Sequence, residues 1–366
     1  MISFTPSAEQ QLIIETVRRF AAERLRPAGH DADESRSTPA DIIARGWDLG
    51  LLPSSIPERY SGFGDEHSVL TGTLAAEELG CGDLPISLYL LTPHLFAIPI
   101  LHAGTDQQKE HWLPIIAEGG FAPYTAALIE PRWDFDPNAL STTATLTSDG
   151  DGYLLHGHKA YVPLAANAPA MLIYAREGDS TQAFIVERGA AGLTVAEREQ
   201  HMGIRALPTY DVKLDDVKVD LNAKLGGQDG CDVELLLNYS RVTLGALAIG
   251  VARGAYEYAL DYAKQREAFG RPIAQYQAVA FMLAEMAIEI ESARGLIWEA
   301  AWTLDKGQNA SRAASLAKQY ADDMVLFVTD RAVQVLGGHG YIREHPVERW
   351  LREGRGFSTF LGVAMI

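Results

Sequence analysis

The spacing of apolar residues changes along the chain and divides it into zones. In the first zone, up to about residue 120, apolar side chains such as Leu12, Ile13 and Val17 recur at the spacing of one helix face. Ser7 is followed three residues later by Gln10, a capping-box pattern that predicts the start of a helix. This zone therefore predicts a helical domain.

The apolar spacing shifts toward every second residue in the next zone, which runs to about residue 219. Residues 143–162 form two alternating segments around an Asp-Gly turn, as expected for two paired strands. Further strand-like segments, AMLIYAR, QAFIVER, LTVAE and YDVKLDDVKV, follow in order. We expect a β domain here.

Long helices return from about residue 232, notably over residues 281–302 and 311–337, whose apolar stripes predict a bundle that also packs against other subunits. The predicted fold class is α+β, with an N-terminal helical domain (1–120), a central β domain (121–225) and a C-terminal helical bundle (226–366). Alternating βαβ units are missing from the pattern, and the Gly-Gly-His-Gly run at 337–340 does not follow a strand, so a Rossmann fold is not expected.

Charge and composition narrow the classes of partner. The 366 residues carry a formal net charge of −17, from 31 basic and 48 acidic side chains, which disfavours non-specific binding to nucleic acid or anionic membranes. The two cysteines, Cys81 and Cys231, lack metal-site spacing and suggest no disulfide framework. The N-terminus shows no signal-peptide pattern, and the most apolar helical segment, residues 242–255, is too short to span a bilayer. We expect a cytoplasmic protein with no membrane or nucleic-acid partner.

Five sequence blocks in order carry a family resemblance. They are PERYSGFG (57–64), GTDQQKEHWLP (104–114), HMGIRALPTYDVKLDDVKV (201–219), QREAFGRPI (265–273) and QVLGGHGYIREHPVERWLREGR (334–355). Together they resemble the acyl-CoA dehydrogenases, and the resemblance covers nearly the whole chain. It implies a tetramer that binds FAD between subunits and oxidises the Cα–Cβ bond of an acyl thioester, with a glutamate removing the α-proton.

The resemblance implies that the part of the flavin site lent to a neighbouring subunit is retained. Arg266 matches the residue that meets the FAD pyrophosphate, which suits a planar and permanently charged guanidinium. Phe269 would pack beside it, and Gln277 matches the glutamine that follows this motif. The matching loop near the ADP portion comprises Gln334, Gly337 and Gly338. A simpler interpretation is that Arg266 and Gly270 only terminate a helix.

The other half of the flavin site, which would hold the isoalloxazine ring, departs from the family pattern. The family's Thr-Glu-Pro-x-Ala-Gly-Ser-Asp element is replaced by residues 129–136, IEPRWDFD. Its Trp-Ile-Thr element is replaced by residues 161–163, and Pro163 offers neither a hydroxyl nor an N–H group. We expect these changes to disturb seating of the ring.

No acidic residue stands where the resemblance places the catalytic glutamate. Counting from the C-terminal block puts Leu361 at that position, and Ser240 occupies the alternative family position before Arg241. Leucine cannot accept a proton, and loss of a general base costs about 100- to 10,000-fold in rate. Glu234 and Glu257 are the possible replacements, but Glu234 lies too far along the helix from Arg241 to substitute without a register change. We therefore assign no catalytic residue.

Histidines offer little further chemistry in the sequence. His156 and His158 alternate on one strand face, but no third ligand follows at suitable spacing, so exposed strand histidines are expected and no metal site is assigned. His339 and His345 in the C-terminal block receive no chemical role.

The leading hypothesis is a non-catalytic subunit of a heteromeric acyl-CoA dehydrogenase, active in fatty-acyl or steroid side-chain β-oxidation. A catalytic acyl-CoA dehydrogenase subunit would be its partner in a heterotetramer, would bind the acyl-CoA substrate and would share FAD with this chain. One alternative is a homo-oligomeric flavoprotein with changed, non-thioester chemistry. Another is a scaffold without a cofactor.

Overall fold

Helices form the first domain of the protein. The structure is a computed structural model that describes residues 5–64, 67–357, 360–362 and 365. A π-helical turn, Ala21–Leu25, joins the first two helices into one rod. The helices of this domain are α1 (Ala8–Phe20), α2 (Arg26–Ser35), α3 (Ala40–Trp47), α4 (Val69–Gly82), α5 (Leu84–Leu91), α6 (His94–Ala103) and α7 (Asp106–Glu118).

Local capping chemistry fixes where the first helix begins. The Ser7 side chain accepts a hydrogen bond from the Gln10 N–H at 3.2 Å, and the Gln10 side chain accepts one from the Ser7 N–H at 2.9 Å. This capping box satisfies two N–H groups that a helix start otherwise leaves unpaired. The predicted helix start is confirmed. Thr105 and Gln108 begin α7 in the same way.

The central domain is built on one sheet of seven strands, ordered β1-β4-β2-β3-β7-β6, with β5 paired to β4. Alternate side chains of its strands enter a separate apolar core that includes Leu155, Phe184 and Val217. The turn predicted between the first two strand segments is present and contains Gly150, at φ +73°. The strands are β1 (Thr125–Ala127), β2 (Thr143–Leu146), β3 (Gly152–Pro163), β4 (Ala170–Glu177), β5 (Ser180–Glu187), β6 (Leu193–Arg198) and β7 (Thr209–Asp220).

The C-terminal domain is a bundle around one long buried helix. Its elements are α8 (Val233–Gln265), a hairpin of β8 (Glu267–Ala268) and β9 (Arg271–Pro272), α9 (Gln277–Asp305), α10 (Ser311–Leu336) and α11 (Val347–Gly354). The apolar segment 242–255 belongs to α8, which has 33 residues and is long and apolar enough to cross a membrane. The prediction that this segment is too short was wrong. In this fold 89% of the most apolar window of α8 is buried inside the protein, as in the core helix of a globular protein.

Buried ion pairs connect the domains. Asp33, on α2, accepts hydrogen bonds from Arg205 of the β domain and from Arg343 and Arg352 of the C-terminal domain, at 2.8–3.2 Å. Asp83 at the start of α5 pairs with Arg349 of α11. A Cβ at Gly29 would lie 2.0 Å from Arg349 Nη1, so only glycine leaves room for that pair.

The predicted α+β fold class and the order of helical, β and helical domains are confirmed. We retain the proposed division at residues 120/121 and 225/226, since no helix or strand crosses either point.

Candidate functional site

A short hairpin displays the first group of predicted cofactor residues. Helix α8 ends at Gln265, and Arg266 follows with its backbone N–H bonded to Tyr262. Phe269 and Gly270 form the two-residue turn between β8 and β9, at φ +51° and +84°, the signs that a type I′ hairpin turn requires. The turn holds the Phe269 side chain 99% exposed. Arg266 therefore does more than end a helix, because it begins a hairpin that projects an aromatic ring into solvent.

The second group lies on the loop after α10. Gly337 adopts φ +58° and ψ −129°, a conformation that a side chain would strain. Cβ atoms built on Gly337 and Gly338 would meet nothing within 4 Å, so the backbone is open to a ligand. Gln334, at the end of α10, is exposed.

Tyrosine–histidine contacts bring the two groups to the same end of α8. The Tyr262 hydroxyl lies 2.7 Å from His339 Nδ1, and the Tyr258 hydroxyl lies 2.7 Å from His345 Nδ1. The two imidazoles stack with centroids 5.2 Å apart. Sequence analysis gave these histidines no role, but they fasten the glycine loop to α8. Gln277 is the first residue of α9. The hydroxyl of the preceding Tyr276 donates to Ala268 O of the hairpin at 2.7 Å, so Gln277 lies beside the same hairpin.

An apolar cavity of about 70 Å³ lies between the three domains. Its walls come from α5, α6 and α8, from β1, β3 and β7, and from residues 360–362 and 365. Leu361 lines it, and among the described residues that line it there is no aspartate or glutamate. A Cβ built on Gly362 would lie 3.4 Å from the Ser240 Cβ. The residue after Leu361 therefore approaches Ser240, the other position at which the resemblance places a glutamate.

The possible replacement bases are engaged elsewhere. Glu234 is paired with Arg241, with Oε1 and Nη1 2.5 Å apart. It does not line the cavity. Glu257 lies 3.7 Å from Arg253 and is half exposed. Glu353 is fully buried, and burial raises the pKa of its carboxyl well above the usual value although Arg349 opposes the shift. None of the three faces the cavity.

The wall contributed by the β domain is strained at the predicted ring-binding segment. Tyr161 and Leu164 adopt φ +56° and +55° on either side of Pro163, a conformation that costs a non-glycine residue about 1–2 kcal/mol. Pro163 pairs with Thr209 across the sheet, and both line the cavity. Behind this wall, His201 Nε2 lies 2.7 Å from Thr209 Oγ1.

The loop that replaces the family's Thr-Glu-Pro-x-Ala-Gly-Ser-Asp element is folded onto itself. The Arg132 guanidinium donates to the Ser141 hydroxyl and to Asp134 O, and its Nε lies 3.2 Å from Asp134 Oδ1. Trp133 is 97% exposed at the tip. Bulky side chains thus occupy the segment that the family pattern gives to small and hydroxylated residues.

Comparison with known proteins identifies the family. Models of the N-terminal, middle and C-terminal domains of acyl-CoA dehydrogenase match residues 7–120, 125–217 and 232–366. A caffeyl-CoA reductase–Etf complex subunit of Acetobacterium woodii is 34% identical over 98% of this chain and 96% of its own length. The chain belongs to the acyl-CoA dehydrogenase family.

Solved structures of this family share the fold. Butyryl-CoA dehydrogenase from Megasphaera elsdenii superposes with a TM-score of 0.90 at 32% identity, covering 99% of this chain and 97% of that one. A glutaryl-CoA dehydrogenase from Mycobacterium smegmatis, solved with FADH2, gives 0.88 at 26% identity and covers 98% and 92%. Family membership supports FAD, the cofactor that the resemblance implied.

The residues present fit FAD at one end of its predicted site and not at the other. The exposed Arg266 and the open backbone at 337–338 suit a pyrophosphate and a closely approaching ADP portion. The ring end offers Pro163, strained neighbours and a cavity of about 70 Å³ that the 360–362 segment helps to enclose.

A buried ion pair that sequence analysis missed supports the ring-facing wall. The Lys159 side chain is fully buried, and its Nζ donates to Leu128 O at 3.0 Å and to Glu130 Oε1 at 3.2 Å. Burial lowers the pKa of Lys159 to about 8, against the influence of Glu130. Glu130 also accepts from the N–H groups of Ser141 and Thr142, each at 2.7 Å. The sequence feature that could have revealed this ion pair is a lysine at an inward-facing position of an otherwise apolar strand.

The strand histidines do not act as a pair. His156 lies 3.2 Å from Asp216, and His158 lies 3.2 Å from Asp211. Ligand atoms of His156, Asp215 and Asp216 do come within 4.8 Å of one another. His158 does not belong to this group, so the expectation that His156 and His158 find no shared third ligand stays a prediction. All three side chains are exposed, and we assign them no metal.

Proposed function

We propose that this chain is the non-catalytic subunit of a heteromeric acyl-CoA dehydrogenase. A catalytic subunit would provide the glutamate and the isoalloxazine pocket in a heterotetramer. This chain would complete the partner's FAD site from the end of α8 and the loop after α10. The substrate class is a fatty-acyl or steroid side-chain thioester.

The observation that carries this proposal is that Leu361 lines an apolar cavity, with Ser240 close to the neighbouring Gly362. Abstraction of an α-proton needs a positioned acceptor within hydrogen-bond reach. The resemblance to the family places the carboxylate at one of these two positions. Here both are occupied by side chains that cannot act as a carboxylate base, and Glu234, Glu257 and Glu353 do not line the cavity.

Exposed apolar side chains support an assembly with another subunit. Phe281 and Ile288 on α9 are 59% and 63% exposed, and Leu316 on α10 is 52% exposed. Phe269 and Tyr341, next to the predicted cofactor residues, are 99% and 88% exposed. Large aromatic groups in such positions are typical of interface anchors. An interface on this side would bring the partner to Arg266.

Each predicted cofactor residue of this chain would then make one contact in the shared FAD site. The Arg266 guanidinium would bind the pyrophosphate, and Phe269 would exclude water beside it. The backbone at Gly337 and Gly338 would allow the ADP portion to approach, and Gln277 would add a polar contact. In the partner's pocket, FAD would accept the hydride and the partner's base would remove the α-proton.

Flavin content tests the proposal directly. The chain should be purified alone and after co-expression with an acyl-CoA dehydrogenase encoded beside it, and the flavin absorbance per chain should be measured for both. We expect FAD and dehydrogenase activity in the complex and none in the chain alone. Full flavin occupancy of the isolated chain, with activity, would refute the proposal.

A second candidate function has one observation in its favour. A homo-oligomeric flavoprotein with non-thioester chemistry could use His201, which lies one hydrogen bond behind the cavity wall at Thr209. Burial opposes ionisation of Glu199, but His201 and Thr209 hold the pKa of that carboxyl below its usual value, so a charged partner lies beside the imidazole. Full flavin in the isolated chain and loss of turnover in His201→Ala would favour this function.

A further inference from the structure

A small pocket rich in arginine lies where the N-terminal domain meets the β domain. Its volume is about 10 Å³, which is about the room that one water-sized group needs. Arg36, directly after α2, lines it together with Arg198, the last residue of β6, and Arg205 in the loop that follows. None of the predicted cofactor residues lines this pocket.

Two of the three arginines have no carboxylate partner. Arg205 pairs with Asp33 at 3.2 Å, but Arg36 and Arg198 form no salt bridge with any residue that the structure describes. Arg36 donates to Gln200 Oε1, and Arg198 donates to the backbone oxygens of Arg36 and Arg205 at 2.7 Å each. All three acceptors are neutral, so both guanidinium charges remain without a counter-charge.

The two unpaired arginines repel each other across the pocket. Burial lowers the pKa of Arg198, and the positive charge of Arg36 adds to that lowering, although Tyr210 opposes it. Two like charges at close range cost free energy unless an anion lies between them. The chain as a whole carries a net charge of −17, so this concentration of positive charge is a local feature and does not follow from the composition.

The one acidic side chain that lines the pocket is engaged elsewhere. Burial opposes ionisation of Glu199, but hydrogen bonds from His201, from Thr209 and from the Tyr161 backbone hold the pKa of its carboxyl below the usual value. Its Oε2 is buried and lies 3.5 Å from His201 Nε2. Glu199 therefore brings a single negative charge, directed toward His201, against the two unpaired arginines.

We propose that this pocket binds a small monovalent inorganic anion, such as chloride, between the guanidinium groups of Arg36 and Arg198. The volume suits a monatomic ion and leaves no room for an organic acid. Arginine stays protonated at every pH at which the protein is folded, so binding needs no proton. The bound anion would connect the end of α2 to the β domain. This site involves neither FAD nor a partner subunit, so it stands or falls separately from the proposed function.

The test exchanges chloride for gluconate, an anion too large for the pocket, at constant sodium concentration and constant ionic strength. Exposed charges are screened equally in the two salts, so a difference in the thermal midpoint of the full chain reports binding. We expect the midpoint to rise with the chloride fraction and to saturate, as for one site on the native state. Bromide should replace chloride, and its anomalous scattering in a soaked crystal should lie between the two guanidinium groups. A midpoint that does not depend on the chloride fraction, or bromide found only elsewhere, overturns the proposal.

Substitutions locate the bound anion. Arg36→Met should weaken chloride binding about tenfold or more, the effect of losing one charge-assisted hydrogen bond. Arg36 is exposed, so the fold should tolerate this change. Arg36→Lys, which keeps the charge, should retain part of the affinity. Arg45→Met is the matched control, because Arg45 is an exposed arginine on α3 that does not line the pocket. A chloride effect that persists in Arg36→Met, or is lost equally in Arg45→Met, refutes the site.

Discussion

Replacing Arg266 by alanine separates cofactor binding from helix termination. Arg266 is exposed at the C-terminal end of the 33-residue helix α8. In the part of the chain that the structure describes, its guanidinium has no salt-bridge partner. The substitution therefore breaks no internal ion pair, and its cost to folding comes only from the helix end.

The two effects differ in size. A cation in the last turn of a helix stabilises it by about 0.3–1 kcal/mol at low ionic strength. A charge-assisted hydrogen bond contributes about 1.5–3 kcal/mol, which corresponds to about 10- to 150-fold in FAD affinity at 1.4 kcal/mol per decade. Arg266→Ala should thus reduce FAD retention in the complex far more than it lowers the thermal midpoint of the chain.

The assay is FAD stoichiometry and thermal midpoint, measured on the same co-purified complex at several salt concentrations. Lys264→Ala is the matched control, since Lys264 is a cation in the last turn of the same helix and is 60% exposed. It should lower the midpoint by a similar small amount and leave FAD bound. Unchanged FAD content in Arg266→Ala, or equal FAD loss in Lys264→Ala, would show that Arg266 makes no specific contact with the cofactor.

Three further predictions follow from the cavity and the buried charges. Leu361→Glu alone should not give efficient acyl-CoA dehydrogenation by the isolated chain, because the strained Tyr161–Leu164 wall still opposes seating of the ring; turnover near that of other family members in a flavin-reduction assay would contradict this. Lys159→Met should lower the free energy of unfolding by about 3–5 kcal/mol, because Glu130 is left buried without its partner. Adding Glu130→Gln should recover part of that loss, as measured by urea unfolding. Strictly additive losses would exclude coupling between the two residues. Glu353 has a raised pKa in the folded state, so the native chain binds more protons than the unfolded chain above the unfolded pKa, and stability should fall as pH rises over the range above the usual glutamate pKa of about 4.3. Glu353→Gln should make the unfolding free energy less dependent on pH over that range, and an unchanged slope would refute the assignment.

The spacing of apolar residues was sufficient to predict the order of the domains, because a helix or strand shows its characteristic spacing within a short run of the sequence. The change from helical spacing to alternation marked the β domain, and Ser7 with Gln10 marked the first helix before any contact was known. The ends of helices that are buried on all sides were harder to predict. Segment 242–255 read as a short apolar stretch because α8 has little polar face to show where it begins and ends.

Long-range contacts needed the tertiary structure. The convergence of Gly362 with Ser240, the Lys159–Glu130 pair and the stacking of His339 on His345 all join residues whose separation in sequence sets no distance. The reach of Glu234 to Arg241 depends on side-chain length and rotamer as well as on helical spacing. Local sequence pattern specifies which helices and strands form and which chemical groups are available. The tertiary structure decided which groups meet, because burial and pairing depend on how distant elements pack together.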